Sequence, residues 1–296
     1  MRWNVFVAIR RARLGLTTLA ALSITLLWAS PAKAGTTITQ STCPVVIMQS
    51  GEYTLGTDVG PCASGVDGID IVASAVTLHL NGHTISGTAA SGTCNSSNGI
   101  HVLGTPIVPL TMVRILGSGT ISNFGIGFLA DNSAGSFVKF TTVTANCPFF
   151  SFGFVIDSSS SQWKLDSNVV REPGISSLGI FLNGAADNDL VHNDVNDTMQ
   201  LNNSSNNTVV NNVASDNFGG ITLTGTSTNN NIDANTTDNN SNGSGIWLFA
   251  GATGNNISGN KSFNNLPFDM RDDNANCDNN KWTGNHFNTA NQSCIH

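Results

Sequence analysis

Asn188-Asp189-Leu190-Val191-His192-Asn193 opens a pattern that returns four times. The copies are Asn207-Thr208-Val209-Val210-Asn211-Asn212, Asn230-Asn231-Ile232-Asp233-Ala234-Asn235, Asn255-Asn256-Ile257-Ser258-Gly259-Asn260 and Asn280-Lys281-Trp282-Thr283-Gly284-Asn285. The second Asn recurs at steps of 19, 23, 25 and 25 residues. Leu165/Asn168, Phe140/Val143 and Ile115/Ser118 continue the frame backwards at steps of 25, and Leu80/His83 begins it, for about nine turns. A second short strand precedes most copies: Gly179-Ile180-Phe181-Leu182, Gly220-Ile221-Thr222-Leu223, Gly245-Ile246-Trp247-Leu248 and then Phe268-Asp269-Met270. Strands of three to five residues with period-two alternation, separated by Gly, Asn and Ser turns, make one coil of a parallel β-helix. Stacked at about 4.8 Å, nine coils extend roughly 40 Å.

The Asn residues follow from this architecture. Asn tolerates the left-handed conformation of a sharp turn, and its amide both donates to and accepts from the same amide one coil away. Some 30 Asn in the last 116 residues are therefore structural. Sequons such as Asn196-Asp197-Thr198 arise by chance in such a composition and are not read as functional. Disorder is excluded because Leu, Ile, Val and Trp recur in register.

Of the 296 residues only 10% are charged, against roughly 25% in ordinary globular domains. A surface of Asn, Ser and Thr on stacked strands accounts for that scarcity. Arg2, Arg10, Arg11 and Arg13, the apolar run Leu14 to Trp28 and Ala32-Lys33-Ala34 before Gly35 have the form of a secretory signal peptide over residues 1–34. The apolar run is shorter than the roughly 20 residues needed to span a bilayer, and no later segment is apolar enough. The expected domain is 35–296, with an N-terminal cap over about 35–75 and a closing segment over about 277–296. Without the signal, seven bases face nineteen acids, a net charge of −12, which excludes general nucleic-acid binding. Six cysteines in an exported chain favour disulfides. Proximity pairs Cys43 with Cys62 and Cys277 with Cys294, leaving Cys94 with Cys147.

Tyr53-Thr54-Leu55, Gly68-Ile69-Asp70-Ile71 and Val76-Thr77-Leu78-His79-Leu80-Asn81-Gly82-His83-Thr84-Ile85-Ser86-Gly87, followed by the Asn-rich coils, resemble secreted right-handed parallel β-helix repeat proteins. That superfamily includes pectin-lyase-like polysaccharide enzymes, uronate epimerases and periplasmic copper-accessory proteins. The resemblance implies an all-β, single right-handed β-helix, exported to the periplasm or outside the cell. Fold alone does not choose among those activities.

In the 25-residue frame, His79, Arg114, Lys139, Lys164 and Asp189 fall in one outward column. Three cations one coil apart repel one another, so they need either an acidic polymer laid along them or neighbouring acids such as Asp166 or Asp189. For β-elimination from a uronate, Lys164, Asp166, Asp189 and Arg171 are the catalytic candidates, because the reaction needs a cation on the carboxylate and a base at C5. Glu172, His192 and Asp194 lie around them. Glycoside hydrolysis would instead use a carboxyl pair, Asp166 with Asp189 or Asp189 with Asp194. Substrate-binding candidates are Arg114, Lys139, Trp247 and Phe181, the two aromatics standing at matching outward positions where a ring either stacks on a sugar or packs under a loop. Acidic turns also take structural Ca2+, but no G-G-x-G-x-D repeat is present and no metal ligand is assigned. His79, His83 and His101 raise copper; His83 is assigned to the inward ladder instead. The expected partner is a polysaccharide or a cell-envelope component; the alternative is a non-enzymatic envelope rod or copper-accessory protein.

Overall fold

The computed structural model describes residues 35–88, 95–144, 151–171 and 177–296. The described residues fold as a nearly all-β parallel solenoid, with the coils contributing strands to three faces. Hydrogen bonds run between coils, in parallel throughout, giving a 20-stranded sheet over the first and second faces and a 10-stranded sheet on the third. The first face runs through nine strands from Val76–His79 to Lys281–Thr283. The third runs through Val45–Ile47, Ile69–Ile71, Asn95–Leu103, Phe124–Asp131, Phe152–Asp157, Leu178–Asn183, Thr198–Asn202, Ile221–Thr224, Ile246–Leu248 and Met270–Asp272. No helix among the described residues is long and apolar enough to cross a membrane.

Alternation along each short strand sends one residue in and the next out, and stacking turns these into columns. Leu78, Ile115, Val138, Leu165, Leu190, Val209, Ile232, Ile257 and Trp282 form the inward column of the first face, every one of them buried. The third face contributes Ile180, Met199, Ile221, Ile246 and Met270 in the same way. Seven third-face strands carry a glycine just before their first inward residue, at Gly68, Gly99, Gly127, Gly153, Gly179, Gly220 and Gly245, because the chain there passes close to the second face. A Cβ at Gly153 would lie 2.6 Å from Val170 Cγ1.

Three Asn ladders hold the corners. Asn168, Asn193, Asn212, Asn235, Asn260 and Asn285 form one, each side-chain amide donating to the next Oδ1 at 2.9–3.1 Å. Asn188, Asn207, Asn230, Asn255 and Asn280 form another at 2.9–3.1 Å. Asn217, Asn240 and Asn265 make the third. The left-handed turn itself falls on the preceding residue: Asp187, His192, Asn206, Asn211, Asn229 and Ala234 have φ between 53° and 60°. The two roles expected of one Asn are thus divided between neighbours.

The frame in the middle coils differs from the sequence reading. Ile115 pairs with Val138 and Val138 with Leu165, steps of 23 and 27 residues where the reading took 25 twice. Past the Ile115–Val138 pair a register break at Leu116/Gly119 sets two residues, Gly117 and Ser118, against Phe140 alone, with Gly117 at φ 95°. Phe140, expected inside, is 54% exposed at φ 59°. Disulfides join Cys43 to Cys62 and Cys277 to Cys294 as expected. Cys94 and Cys147, and the 1–34 segment, lie outside the described residues.

Candidate functional site

The shifted frame divides the expected basic column in two. Arg114, Phe137, Lys164 and Asp189 occupy one outward column of the first face. His79, Leu116, Lys139 and Asp166 occupy another, two residues along each strand. Asp166 collects the charges: its Oδ2 lies 3.2 Å from Lys139 Nζ and 3.6 Å from Lys164 Nζ, and its Oδ1 lies 3.7 Å from His192 Nδ1. Ser167 Oγ donates to Oδ1 at 2.8 Å. Burial pushes the Asp166 carboxyl up, but the Ser167 hydrogen bond and the two lysines outweigh it and hold the group below its ordinary range. Lys139 and Lys164 are therefore compensated by one shared carboxylate, the second of the two arrangements the sequence left open. Arg114 lies over the Phe137 ring at 5.6 Å, and Lys139 over Phe140 at 4.7 Å.

The other first-face candidates do not converge on Asp166. Arg171 belongs to the second face, where it binds the Asp194 carboxylate and, through Nη1, the Asp194 carbonyl at 3.0 Å. Asp189 is exposed beside Lys164 on the first face, whereas Asp194 is on the second, so these two carboxylates sit on different faces. Glu172 lies outside the described residues. The histidines separate: His79 contacts Glu52 at 2.9 Å, His83 contacts Asp58 at 3.1 Å and His101 contacts Asp67 at 3.2 Å. His83 stands at a turn, 29% exposed, rather than in the inward ladder.

The third face carries a cleft of about 340 Å³. Its floor is the outward side of three successive strands, with Thr198 and Gln200, then Thr222 and Thr224, then Trp247 and Phe249. Phe218, Gly219 and Gly243, from the loops that lead into these strands, contribute to its wall, and Ser177 and Leu178 belong to the coil on one side. Phe218 is 56% exposed. The lining has no ionisable side chain, so it offers ring faces, hydroxyls and one carboxamide. Trp247 is held in place: its Nε1 donates to Asp273 Oδ2 at 2.9 Å, the Phe249 ring stacks on it at 3.9 Å and the Arg271 guanidinium lies 4.0 Å from it. Arg271 is in turn fixed to Asp273 at 2.8 Å.

Phe181 shares the Trp247 column, with Gln200 and Thr222 between them, but its ring stacks on Phe152 at 5.6 Å and is not part of the cleft lining. The sequence reading named Trp247 and missed Phe249 and Phe218. Phe249 was detectable by period two from Trp247. Phe218 was not, because its place depends on the path of a loop. Asp269 and Asp272, on the coil next to Trp247, are interior. Asp272 ends an inward column and accepts from Trp282 Nε1 at 3.0 Å, Asn280 Nδ2 at 3.1 Å and Asn274 Nδ2 at 2.8 Å.

No family model and no curated protein matches the chain. Among solved structures, a periplasmic alginate epimerase is similar with a TM-score of 0.54 at 13% identity, over 83% of this chain and 67% of the epimerase. The Dettilon tailspike protein is similar with a TM-score of 0.53 at 17% identity, over 84% of this chain and 53% of the tailspike, so the chain spans about half of that protein. At these identities the likeness is one of fold, and the fold it shows is the parallel β-helix.

Proposed function

We propose that this chain is an exported β-solenoid that binds polysaccharide through the cleft on its third face. The observation that carries the reading is the cleft lining, where Phe218, Trp247 and Phe249 flank Gln200, Thr222 and Thr224 without a charge among them. Sugars present apolar ring faces and equatorial hydroxyls, and an aromatic cleft with a few fixed hydrogen-bonding groups answers both. The two similar structures, an alginate epimerase and a tailspike, and the two disulfides support the same setting.

Trp247 reports on occupancy. The other described tryptophans, Trp163 and Trp282, are 1% exposed, so a ligand in the cleft alters chiefly the Trp247 emission. Titration with neutral and uronate oligosaccharides is expected to give a saturable change with at least one of them. Phe218→Ala, an exposed position, is expected to weaken that binding at least ~10-fold, about 1.4 kcal/mol. A flat titration across both classes, or unchanged affinity in Phe218→Ala, contradicts the reading.

A second reading rests on the convergence of Lys139, Lys164 and His192 upon Asp166. Here the lysines would neutralise a uronate carboxylate, and His192, with a 61% exposed side chain, is the member that substrate can reach for proton removal at C5. This is the lyase form of the proposal, with an acidic glycan as substrate. Its signature is UV-absorbing unsaturated ends released from a uronate polymer, lost in Lys164→Ala and His192→Ala. Polymer left without such ends by the wild-type protein rules it out.

A further inference from the structure

Asp67, Asp70 and His101 stand together near the start of the third face, remote in sequence from the cleft strands. Asp70 and His101 are direct partners on adjacent strands, Ile69–Ile71 and Asn95–Leu103, with both side chains on the outward side. Asp67 reaches the same place from the turn before the first of these strands. One ligand-type atom from each of the three residues lies within 4.8 Å of the other two. No other set of three or more such residues among the described residues meets this condition.

The hydrogen bonding of this cluster leaves two atoms over. Asp67 is well served: Oδ1 accepts from the Asn98 backbone N–H at 2.7 Å and from Asn98 Nδ2 at 3.1 Å, and Oδ2 lies 3.2 Å from His101 Nδ1. Asn98 Nδ2 also donates to Oδ2 at 3.1 Å, and of the two His101 ring nitrogens it is Nδ1 that meets Asp67. Nε2 is shielded from solvent and has no hydrogen-bond partner, and the same is true of Asp70 Oδ1. A buried Asp70 oxygen without a donor, beside a second carboxylate, is costly unless a cation sits between them.

We propose that Asp67, Asp70 and His101 form a binding site for a divalent first-row transition cation, for which Zn2+ is the probe. One imidazole nitrogen with carboxylate oxygens is a donor set that Zn2+ accepts in four-coordinate geometry, with water in the remaining position. Ca2+ and Mg2+ need six or more oxygen ligands, which three side chains with one nitrogen do not supply. Asp67 Oδ2 lies 3.2 Å from His101 Nδ1, so the two become neighbouring ligands of one ion when the proton between them is released, while Asn98 holds the carboxylate from behind. Ligand atoms around tetrahedral zinc are about 3.3 Å apart, so small side-chain rotations close the site.

The test uses protein purified after expression of the full chain, stripped with chelator and titrated with ZnCl2 by calorimetry, with metal content measured after equilibrium dialysis. One tight Zn2+ per chain is expected, with Asp70→Asn and His101→Gln each weakening it at least ~10-fold. Unfolding of the stripped proteins shows that both variants are folded. Asp70→Asn without metal is expected to be at least as stable as wild type, because one of two apposed acids is gone, and Zn2+ is expected to raise the melting temperature of wild type alone. The proposal is overturned if stripped wild type takes up no Zn2+, if Ca2+ binds as tightly, or if the two variants bind Zn2+ like wild type. Uptake without Zn2+ selectivity at His79 or His83 would appear as that last outcome.

Discussion

Asp197, at the corner between the second and third faces, is 5% exposed. Its Oδ1 accepts from the Thr198 backbone N–H at 2.6 Å, whereas its Oδ2 is buried without a partner. Burial pushes this carboxyl up to about 7, against the opposing effect of the Thr198 N–H. With an unfolded value near 3.8, the folded chain holds the extra proton between about pH 4 and pH 7. Stability from this group is therefore full below pH 4 and is lost as pH rises through 7. Asp197→Asn keeps the Thr198 bond and cannot ionise. Chemical denaturation at pH 5 and pH 8 is expected to show the stability of the variant relative to wild type growing by about 2 to 3 kcal/mol between the two. Equal slopes with pH in the two proteins would show that Asp197 reaches water when charged.

The Asn ladder is the element that makes each coil specify the next. Asn212 accepts from both the backbone N–H and the side-chain amide of Asn193 at 2.9 Å, and donates to Leu190 O at 2.8 Å and Asn235 Oδ1 at 3.0 Å. All four positions of its carboxamide are thus used inside the protein. Asn212→Ala strands two buried donors on Asn193 and removes a donor from two acceptors, an expected loss of about 3 kcal/mol in urea unfolding. Asn211→Gly is the contrast, because Asn211 takes the left-handed turn at φ 56° and is exposed. That change is expected within about 0.5 kcal/mol. A similar loss in both variants would mean that turn conformation, and not the ladder, holds the corner. At the C-terminal end, Asp272 terminates the inward stack where another aliphatic residue would have no coil above it.

At the scale of the stacked coils, the fold was legible because nearly every repeat after Leu165 shows both its inward aliphatic residue and its corner Asn. The candidate site was less so. Around Lys139 the corner Asn is replaced by Thr141, whose backbone N–H donates to Asn168 Oδ1 of the next coil at 3.0 Å. Without that marker a 25-residue frame aligned Lys139 with Arg114 and Lys164, whereas the backbone pairs it with Leu116 and Asp166. A slip of two residues preserves inside and outside, so alternation gives no warning of it. Trp247 was legible as an outward aromatic; the cleft around it was not, since Phe218 and Gly243 come from loops whose path no periodicity encodes. The Asp70–His101 contact likewise depends on pairing across a coil of 31 residues. The central claim is that ligand contacts the third face, and hydrogen-exchange mass spectrometry with and without a saturating oligosaccharide tests it most directly. Slowed exchange confined to residues 198–224 and 243–249 is the predicted result, and protection centred on residues 137–166 and 189–193 of the first face, with none at the cleft, would contradict it.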